Sequence, residues 1–206
     1  MKSIQIGVCG VGNVGGAVLE NLTNSPEIVE NNGGVQIEVL QVGARKGKAV
    51  VPYDVKVTSN LMDVASNPDI DVFVELIGGC ELAKDLVIES IKNGKNIVTA
   101  NKALIATYGD ELFQLAKDRG VQIGFEASVA GGTPVIKALR EGLVANKVSW
   151  FAGILNGTTN FILSKMSDDQ FSFDDALKEA QDLGLAEADP TMDVDGTDAA
   201  QKASIL

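Results

Sequence analysis

Apolar and polar positions follow two rhythms along this chain. Ser3 to Cys9 (SIQIGVC) is a short run rich in Ile and Val that ends in Gly10-Val11-Gly12-Asn13-Val14-Gly15-Gly16. The spacing then changes to three or four residues, with Val14, Val18 and Leu22 on one stripe. That predicts a helix closing at the turn signal Asn31-Asn32-Gly33-Gly34. Val35 to Gly43, Val72 to Ile77, Asn96 to Thr99 and Val121 to Phe125 read as further strands, and Leu82 to Asn93 and Gly109 to Arg119 as helices between them. Near-continuous apolar strands separated by amphipathic helices imply a parallel sheet covered on both faces, the doubly wound α/β arrangement.

Beyond about Ala130 the rhythm changes. Thr133 to Leu143 reads as a helix and Val148 to Ile154 as a strand opening a second sheet, the place where an oligomer contact is expected. A polar loop, Ser167 to Asp175, leads into a helix from Phe173 to Leu183 that Gly184 stops. The expected division is a dinucleotide-binding domain over 1–131 and the start of a second domain over 132–206.

Composition narrows the partners. With 45% hydrophobic and 22% charged residues among 206, the chain can bury one full core and part of a second. No apolar run approaches the roughly 18 to 20 residues that cross a bilayer, and Met1-Lys2-Ser3-Ile4 enters a strand pattern without a signal peptide. A cytoplasmic location is expected. A net charge of -11 argues against nucleic acid and anionic membrane as partners. The two cysteines, Cys9 and Cys80, lack metal-ligand spacing and read as free thiols. There is no histidine, so a proton relay must use Lys, Asp, Glu, Tyr or water.

Two stretches carry chemistry. The G-x-G-x-x-G pattern Gly10, Gly12, Gly15 follows a predicted strand and opens a predicted helix, with Asn13 and Val14 inside it. In that context the first glycine makes a tight turn, the second admits a pyrophosphate and the third allows close helix packing. The alternative is an ordinary glycine-rich turn. At the end of the second strand, Gly43-Ala44-Arg45-Lys46 offers Arg45 and Lys46 where an acid would favour NAD. Two cations suit a 2′-phosphate and hence NADP, with NAD as the alternative, unless the loop is merely solvated.

The second stretch runs from Gly184 to Lys202 and crowds Glu187, Asp189, Asp193, Asp195 and Asp198 ahead of a single lysine. Carboxylates this dense repel one another unless something cationic joins them, so Lys202 and the ammonium group of a small ligand are expected to share that task. From spacing alone, Asp198 and Lys202 also fit a solvated i, i+4 ion pair. A calcium loop is disfavoured, because the EF-hand pattern wants Gly sixth and Glu twelfth where this chain has Asp198 and Ser204.

The runs Ala100-Asn101-Lys102-Ala103-Leu104, Glu126 to Pro134 (EASVAGGTP), Gly153 to Asn160 (GILNGTTN) and Gly184 to Lys202 together resemble the homoserine dehydrogenase family in order and spacing. The resemblance spans essentially the whole chain. It implies a Rossmann-like nucleotide-binding domain followed by part of an α+β substrate and dimerisation domain. It also implies NAD(P)-dependent interconversion of L-homoserine and L-aspartate 4-semialdehyde, and a homodimer at full length.

On matching positions, the resemblance makes Lys202 the proton-transfer lysine and Asp198 the acid that binds substrate or orients the reacting groups. It gives Glu187 and Asp193 to the substrate's α-amino group, and Lys102, in the loop after Asn96 to Thr99, to cofactor and substrate together. Asn156, Gly157 and Thr158 line the nicotinamide and substrate pocket. Glu126, Val129, Gly131 and Thr133 supply oxygens, mostly backbone carbonyls, to an optional structural monovalent cation such as Na+. Read without the resemblance, Lys102 fits a surface lysine and Asn156 to Asn160 a helix cap.

A lysine among carboxylates is favoured in its charged form, which suits a general acid in semialdehyde reduction and makes homoserine oxidation an alkaline reaction. Members of the family continue well beyond Leu206, so the chain is expected to be a C-terminally incomplete piece that binds NADP more readily than it turns over homoserine. A non-catalytic nucleotide-binding module and a dehydrogenase of another amino-acid aldehyde or imine remain as alternatives.

Overall fold

The computed structural model describes residues 2–45 and 55–206. The chain divides into two compact units, Met1–Gly132 and Thr133–Leu206. Among the described residues, no helix is long and apolar enough to cross a membrane.

The first unit is built on six strands, β1 (Lys2–Cys9), β2 (Val35–Gly43), β3 (Lys56–Thr58), β4 (Val72–Glu75), β5 (Asn96–Thr99) and β6 (Ile123–Gly124). Their order is β3-β2-β1-β4-β5-β6, with every neighbouring pair parallel. Helices α1 (Asn13–Asn24) and α2 (Pro26–Gly33) join β1 to β2, and α3 (Met62–Ala65) joins β3 to β4. Helices α4 (Glu81–Lys92) and α5 (Lys102–Arg119) carry the chain on to β5 and β6. The central strands are buried on both faces, which is why they read as unbroken apolar runs. Ile6, Val8, Leu19, Val42 and Val74 form one such cluster between sheet and helix. The strand order reverses between β1 and β4, so a crevice opens outside their carboxyl ends, at Cys9 and Glu75.

β2 and β5 have the bounds that the apolar runs predict. β6 is shorter than the expected Val121 to Phe125, and three further elements differ, each for a local reason. The helix expected from Val14 to the Asn31–Gly34 turn is two helices, because Pro26 lacks an N–H and starts a new helix after the non-helical Ser25 (φ -141°). Val14 faces outward, and Gly15 and Leu19 take the buried side of α1. β4 stops at Glu75, because Ile77 N–H turns back to donate to Glu75 Oε1 at 2.9 Å instead of extending the ladder. α5 starts at Lys102 rather than Gly109, capped by Asn101, whose Oδ1 accepts from Leu104 N–H at 3.0 Å.

The second unit is helical over these residues: α6 (Val135–Lys137), α7 (Gly157–Asp168), α8 (Phe173–Asp182), α9 (Thr191–Val194) and α10 (Thr197–Ile205). α6 runs into a wider π-type turn, Ala138–Gly142, where the sequence predicts one regular helix. Ile162 packs against Ala176, Ala180 and Ala186 to bind α7 to α8. Small residues on α8 let the two helices approach closely. The strand expected over Val148 to Ile154 is absent: the segment carries no ladder, and Val148, Trp150, Phe151 and Ile154 are exposed. A strand needs a hydrogen-bonding neighbour, and no described segment of this unit supplies one.

Candidate functional site

The crevice at the carboxyl ends of β1 and β4 holds about 720 Å³ and is walled by two glycine turns, Gly10 to Gly12 and Gly78-Gly79, with Arg45 and Leu61 at its edge. The three glycines of the first turn are present for different reasons. Gly10 has φ +102°, and a Cβ there would lie 2.3 Å from the Leu76 carbonyl oxygen. A Cβ at Gly15 would lie 1.9 Å from the Gly10 carbonyl oxygen, so this glycine lets α1 lie against the turn. Gly12 meets nothing within 4 Å and opens onto space that a ligand can approach. It is also the N-cap of α1, with no side chain capping the helix and no acid in its first turn. N–H groups left in this state favour an anion. The cradle therefore fits a dinucleotide pyrophosphate.

Of the two cations expected to read the ribose, Arg45 is exposed at the crevice edge, and Lys46 lies outside the described residues. The second glycine turn was not singled out in the sequence, although Gly78-Gly79 directly after an apolar strand is a readable signal. Both residues have positive φ, +73° and +74°. Cys80 follows on the crevice wall as N-cap of α4. A hydrogen-bonded chain backs this wall: Thr99 Oγ1 donates to Glu75 Oε2 at 2.6 Å and accepts from Asn101 N–H at 2.9 Å. Asn101 Nδ2 in turn donates to the Gly79 carbonyl at 2.6 Å. Lys102 follows as the first residue of α5, half-buried and engaged with other groups, so it belongs to the helix rather than to the loop.

In the second unit, two of the expected acids, Asp193 and Asp198, converge on Asn156, which is 7% exposed. Its Oδ1 accepts from Thr159 N–H at 2.7 Å and from Thr159 Oγ1 at 2.8 Å, capping α7. Its Nδ2 donates to Asp193 Oδ1 at 2.7 Å and to Asp198 Oδ2 at 2.8 Å. Lys202 Nζ lies 2.7 Å from Asp198 Oδ2, one turn away on α10, and donates to the Leu155 carbonyl at 2.8 Å. An ammonium has three protons, and these contacts use two. The Asp198 side chain is only 12% exposed, so this pair is far from the solvated one that spacing alone also allowed.

The carboxylates of the acidic run are not all drawn together. Asp189 Oδ1 accepts from the Thr191 N–H and hydroxyl, and those bonds hold its carboxyl below its ordinary pKa. Asp195 Oδ1 accepts from Thr197 N–H and shapes the entry to α10. Glu187 is exposed; its backbone carbonyl accepts from Gln181 Nε2 at 3.1 Å. Asp193 and Asp198 are the acids brought close. The neutral Asn156 amide bridges them, where the sequence called only for cations.

Both amide protons of Asn156 and two lone pairs of its oxygen are engaged within the unit, so its side chain orients the acids and the start of α7. Thr158 likewise donates its hydroxyl to the Leu185 carbonyl at 2.8 Å. Gly157 keeps open space where a Cβ would stand. Glu126 lies in a 3-10 turn and is engaged elsewhere, and Val129 follows that turn in extended backbone. Gly131 comes next, after Ala130 at φ +49°, and the Thr133 carbonyl accepts from Val135 N–H at 2.8 Å. Irregular backbone of this kind leaves carbonyls outside helix and sheet ladders, the donor type that a monovalent cation takes.

A family model described as homoserine dehydrogenase, NAD binding domain, matches residues 10–126, and one described as homoserine dehydrogenase matches 134–206. The homoserine dehydrogenase of Pseudomonas aeruginosa is 53% identical over 207 residues, covering all of this chain and 48% of the relative. That of Neisseria gonorrhoeae is 46% identical over 209 residues, with the same shares covered. A crystal structure of a homoserine dehydrogenase from Thiobacillus denitrificans has a TM-score of 0.89 at 52% identity, over 98% of this chain and 47% of that one. A hyperthermophilic archaeal homoserine dehydrogenase in complex with NADPH has a TM-score of 0.83 at 31% identity, over 99% and 68%. The chain spans about half the length of the curated relatives it matches.

Proposed function

Because this chain belongs to the homoserine dehydrogenase family, we propose that it serves the NADP-dependent interconversion of L-homoserine and L-aspartate 4-semialdehyde. The first unit holds the cofactor and the second handles the proton. The observation that carries this reading is the meeting of Asn156 with Asp198, 42 residues on, and of Asp198 with the half-buried Lys202, in one hydrogen-bonded group.

A nicotinamide dinucleotide bound at the glycine turn supplies the hydride when the aldehyde is reduced and accepts it in reverse. Gly10 and Gly15 shape that turn, Gly12 leaves room for the pyrophosphate, and the N–H groups of Gly12, Asn13 and Val14 at the start of α1 face its charge. Arg45 at the crevice edge, which Lys46 follows in the sequence, would meet the 2′-phosphate, in keeping with the NADPH of the archaeal relative.

Lys202, held by Asp198 and the Leu155 carbonyl, directs its remaining proton at the aldehyde oxygen and donates it as the alcohol forms. Oxidation of homoserine by NADP+ releases a proton, so the oxidising direction gains with rising pH. Glu187 and Asp193 hold the substrate's α-amino group, and Lys102 reaches cofactor and substrate. The carbonyl-rich turn from Glu126 to Thr133 binds a monovalent cation such as Na+. The working protein is a cytoplasmic homodimer.

The test is loss of NADPH absorbance on adding L-aspartate 4-semialdehyde. Turnover above the enzyme-free rate is expected, with NADPH preferred to NADH and that preference lost in Arg45→Asp. NADPH binding without reduction leaves a nucleotide-binding module and sinks the proposal, as would equal activity with unrelated aldehydes.

A further inference from the structure

Glu75 is fully buried at the carboxyl end of β4, one residue before the crevice-lining Leu76, and has no part in the chemistry proposed above. Sheet register sets it between Cys9 on β1 and Thr99 on β5, so the three side chains form one row across the carboxyl ends of three strands. Among the described residues no lysine or arginine pairs with it. Its two oxygens instead accept from two different turns. Oε1 takes Ile77 N–H at 2.9 Å, and Oε2 takes the Thr99 hydroxyl at 2.6 Å.

Those two bonds close a ring. From Thr99 the chain of donors runs through Asn101 N–H, and from Asn101 Nδ2 to the Gly79 carbonyl, two residues beyond Ile77. The turn after β4 and the turn after β5 are thereby tied to one carboxylate. The first is the Ile77-Gly78-Gly79 wall of the crevice, and the second leads directly into Lys102. Two consecutive glycines at positive φ have no side chains to fix that wall, so its shape must come from outside the turn.

Burying a carboxylate without a cation is unfavourable, and an apolar residue of similar size would fill the same space at no such penalty. Stability alone therefore does not account for it. We propose that Glu75 is a positioning residue for the dinucleotide. Its carboxylate presets the Ile77–Gly79 wall and the Thr99–Asn101 turn, so that the crevice does not have to be ordered when the cofactor arrives. This rests on the dinucleotide reading given above.

Two near-isosteric variants test it in the 206-residue chain. Thr99→Val removes one hydroxyl, and Glu75→Gln replaces one acceptor by a donor that faces either Ile77 N–H or the Thr99 hydroxyl. The measurement is the NADPH dissociation constant by nucleotide fluorescence, at a temperature where far-UV circular dichroism reports each variant folded. Each single variant is expected to bind NADPH roughly tenfold more weakly, the size of one charge-assisted hydrogen bond. The double variant is expected to be little weaker than either single one, because both break the same ring. Thr99→Ser restores the hydroxyl and should restore affinity. Faster hydrogen exchange at the Ile77 amide is expected in Glu75→Gln. Variants that lose thermal stability but bind NADPH within twofold of the parent would overturn the proposal and leave Glu75 a purely structural group. A parent chain that binds no nicotinamide dinucleotide overturns the dinucleotide reading and this proposal together.

Discussion

Cys9 and Cys80 are both free thiols, and their surroundings separate them. Burial first and the negative charge of Glu75 second push the Cys9 thiol up to about 12, whereas Cys80 is half-buried on the crevice wall. A thiol reagent at pH 8 should therefore react at Cys80 in the folded chain and at both cysteines in urea. Cys9 also ties stability to pH. The unfolded thiol ionises near its ordinary value of 9.0 while the folded one keeps its proton to about 12. The unfolded state thus holds fewer protons across that window, and stability falls with rising pH, by at most about 1.4 kcal/mol per unit from this group. Cys9→Ala should remove that slope in urea unfolding measured between pH 8 and 10. The family resemblance of the surrounding runs marked Asn156, Asp198 and Lys202 in the sequence. That the Asn156 amide is donated to two acids was not legible there, since it depends on partners 37 and 42 residues away.

At the level of elements, the strand–turn–helix unit β1–α1 shows how identical letters do unlike work. Gly10→Ala puts a Cβ at φ +102° against the Leu76 carbonyl, and a destabilisation of about 3 kcal/mol or more is expected. Gly12→Ala enters open space in extended backbone and should leave stability within about 0.5 kcal/mol. It should nonetheless weaken NADPH binding at least tenfold, because the added methyl occupies the approach of the pyrophosphate. Urea midpoints and nucleotide fluorescence on the two variants check the pair; equal stability losses would refute the division of roles. The pattern predicted β2 and β5 at their bounds because their runs are long enough and bordered by turn residues. β3 has three residues, too few to show a period. Val148 to Ile154 has the composition of a strand without a partner, and composition cannot say whether a partner exists.

Across the whole molecule, the proposed function gives cofactor binding and proton transfer to different units, so under that reading they should separate by mutation. Lys202→Met removes the proposed proton donor and leaves the glycine turn untouched. Semialdehyde reduction is expected to fall by roughly 100-fold or more, while the NADPH dissociation constant stays within twofold. A parallel loss of both would contradict the division of labour. The sequence by itself determined the doubly wound first unit, the glycine cradle and the family. Each of these rests on local periodicity, on backbone freedom at single glycines, or on runs of neighbouring residues. Only the tertiary structure decided which acids meet. Asp189 and Asp195 close local turns, Asp193 and Asp198 share the Asn156 amide, and Glu75 ties two crevice turns together. Hydrogen bonds between distant segments leave no period in a sequence. They depend on where folding places each donor, and a single buried amide or carboxylate reads the same there as one on the surface.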